Sequence, residues 1–219
     1  MVGYWAPALS SCQGNMLEKT QVRIVAGSLR GRKLTVVVHE GMRPTPQMVR
    51  EALFSILGNA VPDRVFYDIF AGTGVVGLEA VSRGATAARL IEKDARQVND
   101  IQKYADQFGV GAKVQVIKAD AHRWAERWLP PKDAVNLFLS PPFPDLTEKP
   151  EEFLALVNLL LSKAPPESVL TIQTEDGFPV ERLPDPAAWD VRRYGRNMLC
   201  FLVKGVSAAA AGAAAEPQA

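Results

Sequence analysis

Cysteine is almost missing from this chain: Cys12 and Cys200 are its only two in 219 residues. Two thiols so far apart build neither a disulfide framework nor a cysteine-based metal site. Cys200 falls in the apolar run Met198-Leu199-Cys200-Phe201-Leu202-Val203, where a buried and inert thiol is expected. No stretch reaches the ~18 uninterrupted apolar residues of a membrane span. The first sixteen residues lack the basic start and apolar core of a secretory signal. A reducing, cytoplasmic setting is therefore expected, with no membrane and no metal among the partners. An excess of one charge is missing too: 25 Lys+Arg stand against 24 Asp+Glu, a net +1, so bulk composition does not mark a polyanion binder.

The distribution of charge is less even. From Lys19 to Arg50 there are seven basic residues (Lys19, Arg23, Arg30, Arg32, Lys33, Arg43 and Arg50) against Glu40 alone, which leaves a mildly acidic remainder. A basic front on an acidic body is the pattern of a protein that meets a polyanion on one face. With 47% hydrophobic residues, the chain can bury a full core and reads as one domain with appendages.

Along the chain, residues 1–20 show no periodicity and read as an irregular extension. Residues 22–27 and 33–38 flank Ser28-Leu29-Arg30-Gly31-Arg32 in a β-hairpin pattern with a basic tip. After Arg43-Pro44-Thr45-Pro46, a helix is predicted from Gln47 to Leu57, with Thr45 as its cap and Gly58 at its end. This segment, residues 21–60, reads as a nucleic-acid-binding extension. From Val65 strands and helices alternate, which specifies a parallel α/β sheet. Strands are predicted near 65–69, 86–91, 113–118, 135–139, 168–173, 188–194 and 197–204, and helices near 75–83, 95–108, 121–128 and 151–163. The last two strands are joined at Tyr194-Gly195-Arg196-Asn197, too short for a crossover, so they pair antiparallel. The main domain is thus expected at 61–204, and a disordered alanine-rich tail at 205–219.

The chain is organised around Asp68-Ile69-Phe70-Ala71-Gly72-Thr73-Gly74, which follows Val65-Phe66-Tyr67 and opens directly into a helix. Closely spaced glycines after a strand let the backbone approach a nucleotide-like ligand. Two cofactor classes compete, because Gly72-Thr73-Gly74-Val75-Val76-Gly77 also spells a dinucleotide fingerprint with Glu92 about 20 residues on. Asp68 tilts the choice: its carboxylate would repel a pyrophosphate and suits a cationic, amine-bearing ligand such as S-adenosylmethionine.

Three carboxylates, Asp68, Glu92 and Asp120, end the first three strands of the sheet, on the edge where open α/β sheets bind ligands. Glu92 can accept ribose hydroxyls, and Asp120 can accept from an adenine amine, cap the following helix, or do both. The fourth strand ends in Ser140-Pro141-Pro142-Phe143. Two prolines withhold backbone donors, so the Ser140 hydroxyl and Pro141 carbonyl can accept both N–H groups of an exocyclic amine. Phe143 can stack on a flipped-out base, and catalysis then rests on positioning.

In their order, these segments resemble the RsmD-type class I methyltransferases, which methylate the exocyclic N2 of a guanine in bacterial small-subunit ribosomal RNA. The resemblance runs from Val22 to Lys204. It is carried by Arg23-Ile24-Val25-Ala26-Gly27, Arg30-Gly31-Arg32-Lys33-Leu34, Arg43-Pro44-Thr45, residues 49–57, Asp68 to Gly74 and Gly77 to Ala85. It implies a Rossmann-like α/β fold: a seven-stranded, mostly parallel sheet with a C-terminal antiparallel hairpin strand, plus an N-terminal β-hairpin. It implies S-adenosylmethionine as cofactor, with Asp68, Phe70, Gly72, Thr73 and Gly74 around its methionine end, Glu92 on its ribose and Asp120 on its adenine. Ser140, Pro141 and Phe143 hold the target guanine. Arg30, Arg32, Lys33, Arg43, Arg193 and Arg196 meet ribosomal RNA or the assembling small subunit, and the protein acts as a monomer.

The sequence departs from the family pattern in three places. Ser140 and Phe143 replace the ends of an Asp-Pro-Pro-Tyr turn, Asn136 stands where aspartate is common, and Tyr104 where asparagine is usual. An adenine-N6 methyltransferase of DNA or RNA uses the same turn logic, and a glutamine-N5 protein methyltransferase a similar one; the basic hairpin favours nucleic acid. A non-catalytic RNA-binding assembly factor with this fold is the rival from another class.

Overall fold

The computed structural model describes residues 18–38 and 44–205. Cys12, Arg43 and the alanine-rich tail from 206 lie outside the described residues, as does most of the expected irregular extension. Residues 18–20, assigned to that extension, are already strand. Strands β1 (Glu18–Arg23) and β2 (Lys33–Val38) pair antiparallel, from Glu18 opposite Val38 to Arg23 opposite Lys33. The expected first strand at 22–27 is therefore placed too late. Its apolar pattern belongs instead to a loop that turns inward and docks on the sheet domain. Ile24 and Leu29 are buried, the Ser28 N–H donates to the Ser82 carbonyl at 2.8 Å, and the Leu29 N–H donates to Ser82 Oγ at 2.9 Å. A Cβ on Gly27, whose φ is +82°, would sit 1.8 Å from the Ser82 carbonyl oxygen, so this approach admits glycine alone.

Helix α1 (Gln47–Leu57) buries Val49, Leu53, Phe54 and Leu57, and Gly58 ends it with an N–H bond to the Phe54 carbonyl. Thr45 is not its cap. Pro46 holds that position without a side-chain bond, and the Thr45 hydroxyl donates across the molecule to Gln173 Oε1 at 3.0 Å. Arg50, counted above with the basic front, is 1% exposed. Its guanidinium donates to Glu79 Oε2 at 3.1 Å, to the Thr45 carbonyl at 2.6 Å and to the Arg23 carbonyl at 2.7 Å. One buried cation thus joins the hairpin, the proline turn and α2 (Val75–Ser82).

The main sheet has seven strands: β3 (Val65–Ile69), β4 (Ala87–Glu92), β5 (Val114–Lys118), β6 (Asn136–Leu139), β7 (Val169–Glu175), β8 (Asp190–Tyr194) and β9 (Asn197–Val203). Their order is β5-β4-β3-β6-β7-β9-β8, and only β9 runs against its neighbours. Helices α3 (Ala95–Gln107), α4 (Ala121–Arg127) and α6 (Pro150–Lys163) complete the crossovers. Both strands are buried along almost their whole length, which explains the apolar run Leu137-Phe138-Leu139 of β6, while β7 buries Thr171, Gln173 and Thr174 beside its apolar residues. One face packs Phe66, Leu90 and Phe138 against the α1 and α2 residues Leu53, Phe54 and Leu78. The other packs Tyr67, Ile69 and Cys200 against Trp128, Phe153 and Leu160. Burial pushes the Cys200 thiol up to about 11, which leaves it inert.

Tyr104, out of family pattern, has a structural explanation. Its hydroxyl accepts from the Thr35 N–H at 2.8 Å and donates to the Thr35 carbonyl at 2.9 Å, in effect pairing with β2 as a further strand would. Tyr104→Phe is expected to lower stability by about 1 kcal/mol and to speed amide exchange at Thr35 while cofactor affinity holds. Unchanged exchange at Thr35 contradicts this role.

Candidate active site

The chain winds from β3 outward to β5 and then returns to the far side of β3 at β6. Such a switch point opens a crevice at the carboxyl ends of the strands. Here Asp68 pairs in register with Phe138, and Ile69 with Leu139. The β3 turn and the Ser140 turn therefore leave the sheet side by side. Between them lies a cavity of about 1070 Å³ lined by Asp68, Phe70, Gly72, Thr73, Glu92, Asp120, Ser140, Pro141 and Phe143.

Asp68 is 1% exposed, and its Oδ2 accepts from the Gly77 N–H at 2.9 Å. Burial pushes its carboxyl up to about 8; the Gly77 bond opposes this and the charge of Glu92 adds to it. A buried carboxyl with so little compensation is poised to ionise against a cation. Phe70 is held at φ +71°, a conformation rarely adopted by bulky residues and one that clusters at functional sites. Its ring meets His122 edge-on at 6.3 Å. Gly74 has φ +72°, and a Cβ there would come within 2.7 Å of Ile101.

Glu92 accepts from the Gly72 N–H at 2.7 Å and the Asp94 N–H at 2.8 Å, so it braces the turn while lining the cavity. A carboxylate retains lone pairs beyond two such bonds. Asp120 caps α4 through Oδ1, which accepts from the His122 and Arg123 N–H groups at 3.1 Å. It also lines the cavity, so capping and ligand contact are compatible.

Phe143 is 54% exposed, so its ring is free of the core and open to a stacking partner. It begins a short helix, α5 (Phe143–Thr147), which the proline-rich turn had concealed. Of the basic residues, Arg30, Arg32 and Lys33 are exposed around the hairpin turn. Arg30 lines a second, smaller cavity with Arg23, Gln47 and Glu51. Arg196 lines the main cavity. Arg193 instead pairs with Asp176 at 3.1 Å, which offsets its charge.

Sequence reasoning missed a second wall of the cavity: Pro44, Thr45 and Pro46 on one side, and Gln173, Thr174, Glu175 and Asn197 at the ends of β7 and β9. The position of Gln173 to Glu175 at a carboxyl strand end was the available signal. Among the described residues, no group of His, Cys, Asp or Glu is placed to hold a metal ion, and no helix is long and apolar enough to cross a membrane.

A family model described as Conserved hypothetical protein 95 matches residues 22–203. Ribosomal RNA small subunit methyltransferase D of Escherichia coli is 39% identical over 123 residues, covering 56% of this chain and 61% of that protein. The Haemophilus influenzae protein of the same name is 32% identical over 164 residues, covering 74% of this chain and 83% of that protein. Among solved structures, a putative methyltransferase yhhF from Escherichia coli superposes with a TM-score of 0.67 at 29% identity, covering 84% of this chain and 98% of that one. With the family model spanning almost the whole described structure, the chain belongs to the conserved hypothetical protein 95 family, the RsmD-type methyltransferases of the class I α/β fold.

Proposed function

We propose that this chain is an S-adenosylmethionine-dependent methyltransferase that modifies the exocyclic N2 of a guanine in small-subunit ribosomal RNA. The observation that carries the reading is the shared cavity, which joins the Asp68–Gly74 turn to the Ser140–Phe143 turn at one sheet edge. The residues fit the cofactor: a buried carboxyl suited to an ammonium, glycines that admit close approach, and carboxylates at the next two strand ends. Asp68, Phe70, Gly72, Thr73 and Gly74 hold its methionine end, Glu92 its ribose and Asp120 its adenine. When bound, the cofactor supplies an electrophilic methyl group on a sulfonium.

The chain's own residues position the acceptor. Ser140 and the Pro141 carbonyl accept the two N–H groups of the guanine amine, turning its weak lone pair toward the methyl. Exposed Phe143 supplies the stacking face, worth about 1–3 kcal/mol per base. Arg30, Arg32, Lys33 and Arg196 meet the RNA backbone, with Arg43 in the same basic segment. The printed names of the methyltransferase D relatives support ribosomal RNA as the substrate class. The bacterial cytoplasm, where small subunits assemble, is the corresponding location.

Two measurements test this reading. Titration with S-adenosylmethionine is expected to saturate one site, whereas NADH is expected not to bind; the reverse result returns the turn to the dinucleotide class. Replacing Arg30, Arg32 and Lys33 together by Ala is expected to reduce the salt slope of RNA binding by about 2 to 3, with cofactor affinity intact. An unchanged slope removes the hairpin from the RNA interface.

A further inference from the structure

Beside Ser140 lies an amide whose surroundings hold it in one place. Leu139 of β6 pairs with Ile172 of β7, so Ser140, just past the end of β6, neighbours Gln173, which is still within β7. Gln173 is 9% exposed and lines the cavity. Its Oε1 accepts from the Thr45 hydroxyl at 3.0 Å, and its Nε2 donates to Asn197 Oδ1 at 3.1 Å. Thr45 is itself held through its carbonyl by buried Arg50 at 2.6 Å. A carboxamide has two acceptor lone pairs and two N–H donors. Each of the two bonds uses one of a pair, so Oε1 retains one acceptor site and Nε2 one donor.

That pattern is complementary to guanine, which presents the N1–H donor next to the O6 acceptor. Adenine presents the reverse order, an acceptor at N1 next to the N6 amine. The serine at position 140 makes the need concrete. A carboxylate there has two oxygens, enough to accept from N1–H and from the amine together. A single hydroxyl oxygen accepting from the amine leaves N1–H without a partner, and a buried donor left unpaired is costly.

Building on the guanine-N2 reading, we propose that Gln173, oriented by Thr45 and Asn197, reads the N1–H and O6 edge of the target guanine and determines specificity for guanine over adenine. The test compares RNA carrying guanine or 2-aminopurine at the modified position. Both bases carry the amine that receives the methyl group, but 2-aminopurine lacks N1–H and O6. The wild-type protein is expected to favour guanine in kcat/KM by roughly 10- to 100-fold, the size of one bidentate pair. Gln173→Ala is expected to bring the ratio close to one by slowing guanine alone, with cofactor affinity unchanged. Thr45→Val, which keeps Gln173 and removes one of its anchors, is expected to lower the same ratio in part, and carries the test if Gln173→Ala does not fold. A wild-type ratio near one, or a ratio that survives both substitutions, overturns the proposal. A wild-type protein that methylates neither base overturns the guanine-N2 reading itself, and this proposal with it.

Discussion

Replacing Asp68 by Asn is expected to weaken S-adenosylmethionine binding at least about tenfold, the effect of losing one charge-assisted contact, while the melting temperature holds or rises. Asp68 is buried at the end of β3, and its carboxyl is pushed up to about 8, chiefly by that burial. The folded protein therefore keeps a proton that the unfolded chain releases near the ordinary carboxyl value of 3.8. For this group, stability is greatest at low pH and falls as pH rises through that window toward about 8. Asn copies the neutral form and still accepts from the Gly77 N–H, so the fold loses nothing. Binding an ammonium favours the ionised form, so cofactor binding below about pH 8 releases a proton and strengthens as pH rises toward that value. Calorimetry in buffers of different ionisation enthalpy reads this proton directly. Equal affinity in the wild type and Asp68→Asn at pH 8 contradicts the assignment of Asp68 to the cofactor.

The second large effect concerns stability. Arg50 and Glu79 are 1% and 0% exposed and lie 3.1 Å apart, and Glu79 also receives Arg83 at 2.9 Å. Arg50→Met leaves a buried carboxylate with one partner and strips the Thr45 and Arg23 carbonyls of their donors. Breaking such a pair costs about 3–5 kcal/mol, which at ~2–4 °C per kcal/mol lowers the melting temperature by about 6–20 °C. Adding Glu79→Leu is expected to recover part of the loss, because the uncompensated charge goes with it. The loss also reaches the site: a loosened Thr45 turn is expected to raise KM for RNA while cofactor affinity stays the same. A cost below about 1 kcal/mol, the range of an exposed pair, contradicts the structural role given to Arg50.

Much of the fold was legible because doubly buried parallel strands leave short apolar runs, and because their length and the glycine turns that bound them mark them as strands. β3 was predicted at 65–69 and lies there. β6 and β9 begin or end within one residue of expectation. What escaped were features whose cause lies far along the chain. β1 carries Glu18-Lys19-Thr20-Gln21, too polar to show an alternating apolar face. Thr45 has the identity and position of a helix cap, yet its partner is Gln173, 128 residues away. Arg50 looked like surface charge because nothing local pairs with it. The clue was Glu79, a carboxylate set within the wholly buried helix Val75–Ser82, which requires a buried cation. On the candidate site, motif reasoning located the two turns that face each other, but not the second wall, since Gln173 and Asn197 carry no motif and meet only through the β7/β9 register.

The most direct test of the central claim is methyl transfer from labelled S-adenosylmethionine to small ribosomal subunits that lack native modification, with nucleoside analysis of the product. The account predicts label in N2-methylguanosine of the ribosomal RNA and its loss in Asp68→Asn. Label in N6-methyladenosine, or cofactor binding without any transfer to RNA, contradicts it.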